Sequence, residues 1–225
     1  MDRQRADSFA EIVHQRRSIR SFLPEPIPAP ELQAIFALAQ QAPSNCNTQP
    51  WLSYVVSGPK LEVLREKLPA AMASGQFSMD FPYAGQYEGV YKERQYGAAR
   101  ALYAALDIAR EDKAGRNAAF MQNYRFYGAP HVLFLFMPEF CGLREAADCG
   151  MYAQNLMLAL TAYGYGSCPQ TALSFNADLV REELGIPAAQ KLLFGISFGR
   201  IDSQHPANTC RTERSDVAGA VQFIE

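Results

Sequence analysis

Nowhere does the 225-residue sequence offer the roughly 18 consecutive uncharged apolar residues that a membrane-spanning helix needs, and its mean hydropathy is −0.17. A membrane span is therefore not expected. Neither sign of charge dominates. Lys and Arg number 21, Asp and Glu 23, and the net charge of −2 argues against a general nucleic-acid binder. The five cysteines, Cys46, Cys141, Cys149, Cys168 and Cys210, are odd in number and show no CxxC spacing. The three histidines, His14, His131 and His205, lie far apart. Neither a disulfide framework nor a metal site is expected from such spacings. There is no GxGxxG or Walker loop, no internal repeat and no low-complexity run. The opening MDRQRADSFAEIVHQ lacks the apolar core of a secretory leader. Together with the unpaired cysteines, this leads to the expectation of a cytoplasmic protein.

What is present suits an ordinary globular fold: 48% hydrophobic and 20% charged residues, enough chain to bury a core unaided. The expectation is one domain over 1–225, with a helical and loop excursion at about 75–127. Helical periodicity predicts helices over 6–16, from Pro30 to Pro43, 60–72, 92–110, from Asp112 or Lys113 to near Tyr127, 143–163 and 176–184. Strands are predicted at 51–57, at the continuous apolar run HVLFLFMP and at 192–200. Gly164–Ala172 reads as a loop. The terminal VQFIE is strand-like without a local partner. Between Gly75 and Gly89, Phe77, Phe81, Tyr83 and Tyr87 stand among Gly, Pro and Ser, which predicts a long covering loop. Few strands, widely spaced among helices, point to an α+β fold.

Four constellations could carry chemistry. Arg16-Arg17-Ser18-Ile19-Arg20 gathers three guanidiniums and a hydroxyl without an acid. That set suits a phosphate, and in an extended segment Arg16, Ser18 and Arg20 share one side. A solvated basic patch is the plain alternative. Pro43–Trp51, PSNCNTQPW, is a polar loop able to grip a heterocycle by its edges, or else a turn bonded to its own backbone. Trp51 reads as core. Gly164–Thr171, GYGSCPQT, allows close backbone approach, but no neighbouring base in sequence would activate Cys168 as a nucleophile. Arg211-Thr212-Glu213-Arg214 is a second basic cluster.

In that order, RRSIR, PSNCNTQPW, GYGSCPQT and RTERSDV resemble the nitroreductase family of FMN-dependent oxidoreductases across nearly the whole chain. GAPHVLFLF extends the likeness. So do Tyr87, Tyr91, Arg94, Asp112, Arg116 and Phe126–Pro130, which resemble a nitroaromatic-reductase-like branch. The resemblance implies a nitroreductase-like α+β fold, a central mixed sheet flanked by helices in an intertwined homodimer. It implies FMN between the subunits, with NADPH or NADH as co-substrate and a small aromatic acceptor, but no nucleic acid, membrane or metal. Arg16, Arg17 and Ser18 match positions around the phosphate and ribityl chain, and Arg20 the cation beside flavin N1 and O2. Pro43, Ser44, Asn45 and Asn47 match the loop from the opposite subunit. Pro169, Gln170 and Thr171 match the loop over N5, with the Thr171 amide as donor. Arg214, and more weakly Arg211, match phosphate contacts, while Thr212 stands where relatives often carry a cation. The implied activity is ping-pong reduction of nitroaromatic compounds, with Arg20 and Thr171 tuning the flavin and no side-chain nucleophile. Tyr87, Tyr91 and Arg94 are candidate acceptor contacts. Alternatives on the same fold are a reductive dehalogenase-like enzyme, a quinone or enone reductase, and a non-catalytic flavin-binding protein.

Overall fold

The computed structural model describes residues 3–225. Its helices are α1 (Arg3–Gln15), α2 (Ala29–Ala39), α3 (Pro59–Ala73), α4 (Gly89–Ala105), α5 (Lys113–Met121), α6 (Leu143–Ala162) and α7 (Ala177–Leu184). Its strands are β1 (Leu52–Ser57), β2 (His131–Pro138), β3 (Gly166–Gln170) and β4 (Gln190–Gly199). The apolar run HVLFLFMP became β2, and the sheet order β1-β2-β4-β3 surrounds it with partners. Alternation along β2 feeds two cores. Val132, Phe134 and Phe136 pack with Leu61, Leu64 and Leu68 of α3 and Val180 of α7. Leu133, Leu135 and Met137 pack with Ile35 and Ala39 of α2 and Leu156 and Leu160 of α6. A strand buried on both faces needs apolar residues at every position, which is why it is legible as a continuous run.

Local chemistry sets the helix ends. Pro59 opens α3, where a missing N–H costs nothing. Asp112 Oδ1 accepts from Gly115 N at 2.8 Å to cap α5. Glu145 Oε2 accepts from Gly142 N at 2.8 Å before α6.

Several sequence expectations need correction. The four strands pair antiparallel throughout, and in place of the expected mixed sheet, parallel pairing is confined to the isolated bridges Ser18 to Ser167 and Ser78 to Asn176. Gly164–Ala172 is not all loop: β3 lies within it, at the sheet edge, where Pro169 needs no ladder N–H. The helix expected over 92–110 runs from Gly89 to Ala105. The next helix stops at Met121, and a 3-10 segment continues to Gly128. VQFIE forms no strand within the chain, and Phe223 and Ile224 are 86% and 90% exposed. On α6, Ala153 is buried, whereas a Cβ on Gly150 would meet nothing within 4 Å. Among the described residues, no helix is long and apolar enough to cross a membrane.

The excursion is tied down at its start. Ser78 N donates to Phe175 O at 2.8 Å, and Ala177 N donates to Ser78 O at 3.2 Å. Arg181 Nη1 meets buried Asp80 at 2.5 Å, and Asp80 also accepts from Leu192 N at 2.8 Å. Phe77 and Tyr83 then pack on Phe175, with ring centroids 6.4 and 5.7 Å away.

Candidate active site

The segment Arg16–Arg20 lies extended beside β3, with Ile19 N donating to Ser167 O at 2.9 Å. Ile19 is 1% exposed, and its side chain fills the space above Gly166, where a Cβ would sit 2.6 Å from Ile19 Cγ1. That one anchored side chain sets the alternation. Arg16, Ser18 and Arg20 converge on Cys168. Arg17 points to the other side, donates to Asn208 O, and lines a depression of about 220 Å³ with Ile19, Gly166, Ile201 and Arg211.

Asn208, buried and not singled out by sequence, holds the segment in place. Its Oδ1 accepts from Arg20 N at 2.7 Å, and its Nδ2 donates to Ser21 O and Asp202 O, both at 2.8 Å. Burial pushes the Cys168 thiol up to about 11, against the opposing pull of Arg20, Ser18 and Arg16. A thiol held that high is undissociated at neutral pH, which removes the nucleophile reading on physical grounds.

The cations come together in pairs. Burial, then the neighbouring Arg214, disfavours the charged form of Arg16. Burial, then Arg211, does the same to Arg17. Among the described residues, no carboxylate ion pair reaches any of these four arginines. Like charges gathered without acids form a receptor for an anion, and guanidiniums suit a phosphate. Thr212, where the family pattern favours a cation, has another use here. Its Oγ1 accepts from Arg214 Nη1 at 3.0 Å, which holds that guanidinium beside its own chain.

Past Cys168, Pro169 and Thr171 are exposed, but Gln170 is 3% exposed and turned inward. Its Nε2 donates to Asn123 O at 2.9 Å and to Asn123 Oδ1 at 3.2 Å, and its Oε1 accepts from Ser197 Oγ. The Gln170 side chain is thus bonded within the chain at both ends of its amide and braces the Pro169–Thr171 segment. Tyr127 OH donates to Asn123 Oδ1 at 2.8 Å and meets the Arg20 guanidinium. Ser197, Gln170, Asn123, Tyr127 and Arg20 therefore form one connected polar chain from the end of β3 to the last cation of the RRSIR segment. Burial raises the Tyr127 phenol above its ordinary range, so it stays neutral.

The backbone beneath this chain is unusual: Phe126 and Tyr127 have φ of 57° and 53°, followed by Gly128 at 77°. Two aromatic residues in the left-handed region are uncommon and need outside support. Phe126 is fully buried, and Arg65 lies 5.6 Å over its ring. Arg65 also donates to Arg125 O at 2.5 Å and to Ala129 O at 2.9 Å.

The polar loop 43–51 sits elsewhere, on the first half of α6. Asp148 Oδ2 accepts from Asn45 N at 3.0 Å, and Ser44 Oγ accepts from Gln49 N at 2.9 Å. Cys46, Asn47 and Gln49 have φ of 50°, 56° and 48°. This conformation keeps Asn45, Cys46 and Asn47 exposed, with Pro43 also at the surface. Trp51 belongs to the core and stacks on Tyr152 at 5.0 Å. Among the described residues, the loop's side-chain hydrogen bonds go to Gln40, Asp148 and its own residues rather than to the Arg16–Arg20 segment.

Tyr87, Tyr91 and Arg94 are exposed, and Arg94 lies 5.6 Å over the Tyr91 ring. Tyr87 hydrogen-bonds Tyr83, and burial and that bond raise the Tyr83 phenol. Since Tyr83 rests on Phe175, the aromatic loop is based next to the 3-10 turn that begins at Thr171. Arg94 also faces Arg211 and Arg214 across a cavity of about 770 Å³ between α4 and the C-terminal segment. No group of His, Cys, Asp and Glu able to hold a metal ion occurs among the described residues.

An antiparallel sheet wrapped by helices, with two pairs of neighbouring arginines at its edge, defines the class. The Nitroreductase family model matches residues 13–200, and the chain belongs to that family. It is 45% identical to Nitroreductase NfnB of Mycolicibacterium smegmatis, covering 97% of this chain and 93% of that protein. It is 32% identical to the 4-nitrobenzoate reductase of Nocardioides sp., over 97% and 90%. The crystal structure of the FMN-dependent nitroreductase NfnB from Mycobacterium smegmatis in complex with NADPH superposes with a TM-score of 0.94 at 44% identity. That match covers 98% of this chain and 99% of that one.

Proposed function

We infer that this protein is an FMN-dependent NAD(P)H oxidoreductase that reduces nitroaromatic compounds and works as a homodimer. The observation that carries the reading is the convergence of Arg16, Ser18 and Arg20 on the side of β3 that leads into Pro169–Thr171, with Arg214 drawn beside Arg16. FMN, when bound, supplies the chemistry by accepting a hydride from reduced nicotinamide and passing electrons to the acceptor.

The chain's own residues bind and orient. Arg16, Ser18 and Arg214 would hold the phosphate and the adjoining ribityl hydroxyls. Arg17 and Arg211 add charge from the neighbouring depression. Arg20 would supply a positive charge beside the flavin N1 and O2 edge, which favours the anionic reduced state. The Tyr127–Asn123–Gln170 chain fixes Arg20 relative to the loop that offers the Thr171 amide to N5. Pro43, Ser44, Asn45 and Asn47 complete the flavin edge from the partner subunit. The exposure of Pro43, Asn45 and Asn47, and the left-handed backbone at Cys46 and Asn47, support this. Tyr87, Tyr91 and Arg94 bound the acceptor side. Nicotinamide and acceptor use the same face in turn, so the kinetics are ping-pong.

The test separates the half-reactions. Anaerobic NADPH should bleach the flavin absorbance. After removal of nucleotide, a nitroaromatic compound alone should restore it. Reoxidation that requires nucleotide to be present would overturn the ping-pong reading. Bleaching without reoxidation by any nitroaromatic compound would overturn the substrate class.

A further inference from the structure

The turn Phe126–Tyr127–Gly128 is gripped from two directions. From α3, Arg65 donates to Arg125 O at 2.5 Å and to Ala129 O at 2.9 Å, with its guanidinium 5.6 Å from the Phe126 ring centroid. Glu62, three residues earlier on that helix, accepts from Arg65 Nε at 3.1 Å and steadies the guanidinium in turn. From the opposite end of the chain's fold, Phe22 N, two residues past Arg20, donates to Tyr127 O at 3.2 Å. Between these grips the backbone lies at φ, ψ of 57°, 22° for Phe126 and 53°, 28° for Tyr127. Residues with side chains enter that region at a cost in free energy, and two in succession persist only where their surroundings over-determine them.

The strained turn brings a phenol to Arg20. Tyr127 OH donates its proton to Asn123 Oδ1 at 2.8 Å, which leaves the phenol oxygen to accept from the Arg20 guanidinium. Asn123 does not depend on that bond, because its Oδ1 also accepts from Gln170 Nε2 at 3.2 Å. Arg20 does depend on Tyr127. Among the described residues no carboxylate ion pair reaches Arg20, and its guanidinium has only a long 3.5 Å bond to Ser18 O besides. A half-buried arginine without a fixed acceptor keeps much of its rotamer freedom and turns toward water. A neutral phenol restrains the cation without cancelling its charge, which a carboxylate in the same place would do.

We propose that Tyr127 is a positioning residue for the flavin reaction: held in a left-handed turn that Arg65 clamps, its phenol fixes the direction of the Arg20 guanidinium and so sets how strongly that charge favours reduced flavin. The proposal rests on the oxidoreductase reading above and deepens it. It extends the control of the flavin from the site itself to Arg65, a residue of α3 whose own bonds go to the backbone of the turn and to Glu62. The strain at Phe126 and Tyr127 then has a use, since a relaxed turn would point the phenol elsewhere.

The experiment is anaerobic reductive titration of the FMN-loaded protein against a reference dye, with FMN affinity measured beside it. Tyr127→Phe removes one oxygen and keeps the ring and the backbone. It should lower the equilibrium constant for two-electron reduction by about tenfold, which is a drop of about 30 mV in midpoint potential, while FMN affinity holds. In an Arg20→Ala background the same substitution should lower the potential no further, because the phenol acts through that cation. Arg65→Lys keeps the charge but cannot serve two carbonyls at once, and it should shift the potential in the same direction by less. An unchanged potential in Tyr127→Phe overturns the proposal. So does an equal drop with Arg20 absent, which would set the phenol against the flavin directly, or loss of FMN from Tyr127→Phe, which would make the residue a binding group. An unchanged potential in folded Arg65→Lys removes the clamp from the account. If Arg20→Ala itself leaves the potential unchanged, the placement of Arg20 in the oxidoreductase reading fails. If Arg20→Ala lowers it and Tyr127→Phe does not, the positioning role alone fails.

Discussion

Replacing Arg20 with alanine isolates the electrostatic part of the account. The fold should tolerate it. The Arg20 backbone N–H keeps its 2.7 Å bond to Asn208 Oδ1, and Tyr127 OH keeps its 2.8 Å bond to Asn123. The side chain loses only its contact with Tyr127 and a long 3.5 Å bond to Ser18 O, a cost of about 1 kcal/mol. The flavin should feel the change far more. A unit charge about 4 Å from the N1 and O2 edge, at an effective dielectric of about 20, contributes about 4 kcal/mol. Arg20 is only half-buried, so solvent screening makes that a ceiling. For a two-electron couple about 30 mV corresponds to about 1.4 kcal/mol, so the midpoint potential should drop by up to about 90 mV. Flavin reduction by NADPH should slow accordingly. The assay is anaerobic reductive titration against a reference dye, run beside Arg20→Lys, which should recover most of the loss. Unchanged potential and rate in a variant that still holds FMN would refute the placement of Arg20.

Arg16→Ala and Arg214→Ala should each weaken FMN binding by roughly tenfold to a hundredfold in equilibrium dialysis, while the apoprotein melts no lower because a like-charge contact is relieved. An apoprotein that loses stability with unchanged FMN affinity would assign these arginines to the fold. Gly150→Leu meets open space within the chain, so on the reading that this face of α6 packs against the partner subunit it should leave the fold intact and weaken only the dimer, by roughly 1–3 kcal/mol, in sedimentation at falling concentration. A dimer as tight as wild type would move the subunit interface off that face of α6. His131 is neutral and buried: its Nε2 accepts from Ile27 N at 2.9 Å, and burial lowers its pKa below 6.5. The unfolded chain therefore binds more protons just below pH 6.5. The stability from neutral His131 is complete above that pH and is lost as the pH falls toward the folded-state pKa. The wild-type advantage in melting temperature over His131→Asn should shrink between pH 7.5 and 5.5, values chosen about one unit either side of the ordinary histidine pKa. A gap that is constant with pH would contradict this.

The legible parts of the molecule were those whose signal is local. HVLFLFMP announces a strand covered on both faces, and alternation along an extended RRSIR predicts which cations share a side. Gly166–Gln170 reads as loop because its strand character comes from β4 and from Ile19 docking on Gly166, neither visible in the segment itself. Asn208, Asn123 and Ser197 were missed because ordinary polar residues gain importance only from the distant backbone that they brace. Gln170 shows the converse: its place in the motif was readable, but the inward turn of its amide depends on Asn123 and Ser197. The left-handed Phe126–Tyr127 pair carries no sequence signal beyond the glycine that follows it. VQFIE had an apolar strand pattern, and its exposure accords with a partner outside the chain.

The most direct test of the central claim is the absorption spectrum of the protein reconstituted with excess flavin and freed of unbound ligand, followed by analysis of the flavin released on denaturation. The paired arginines predict a yellow protein that releases FMN at close to one per chain and whose flavin bleaches under anaerobic NADPH. Release of FAD instead, or a protein that retains no flavin, would contradict the account.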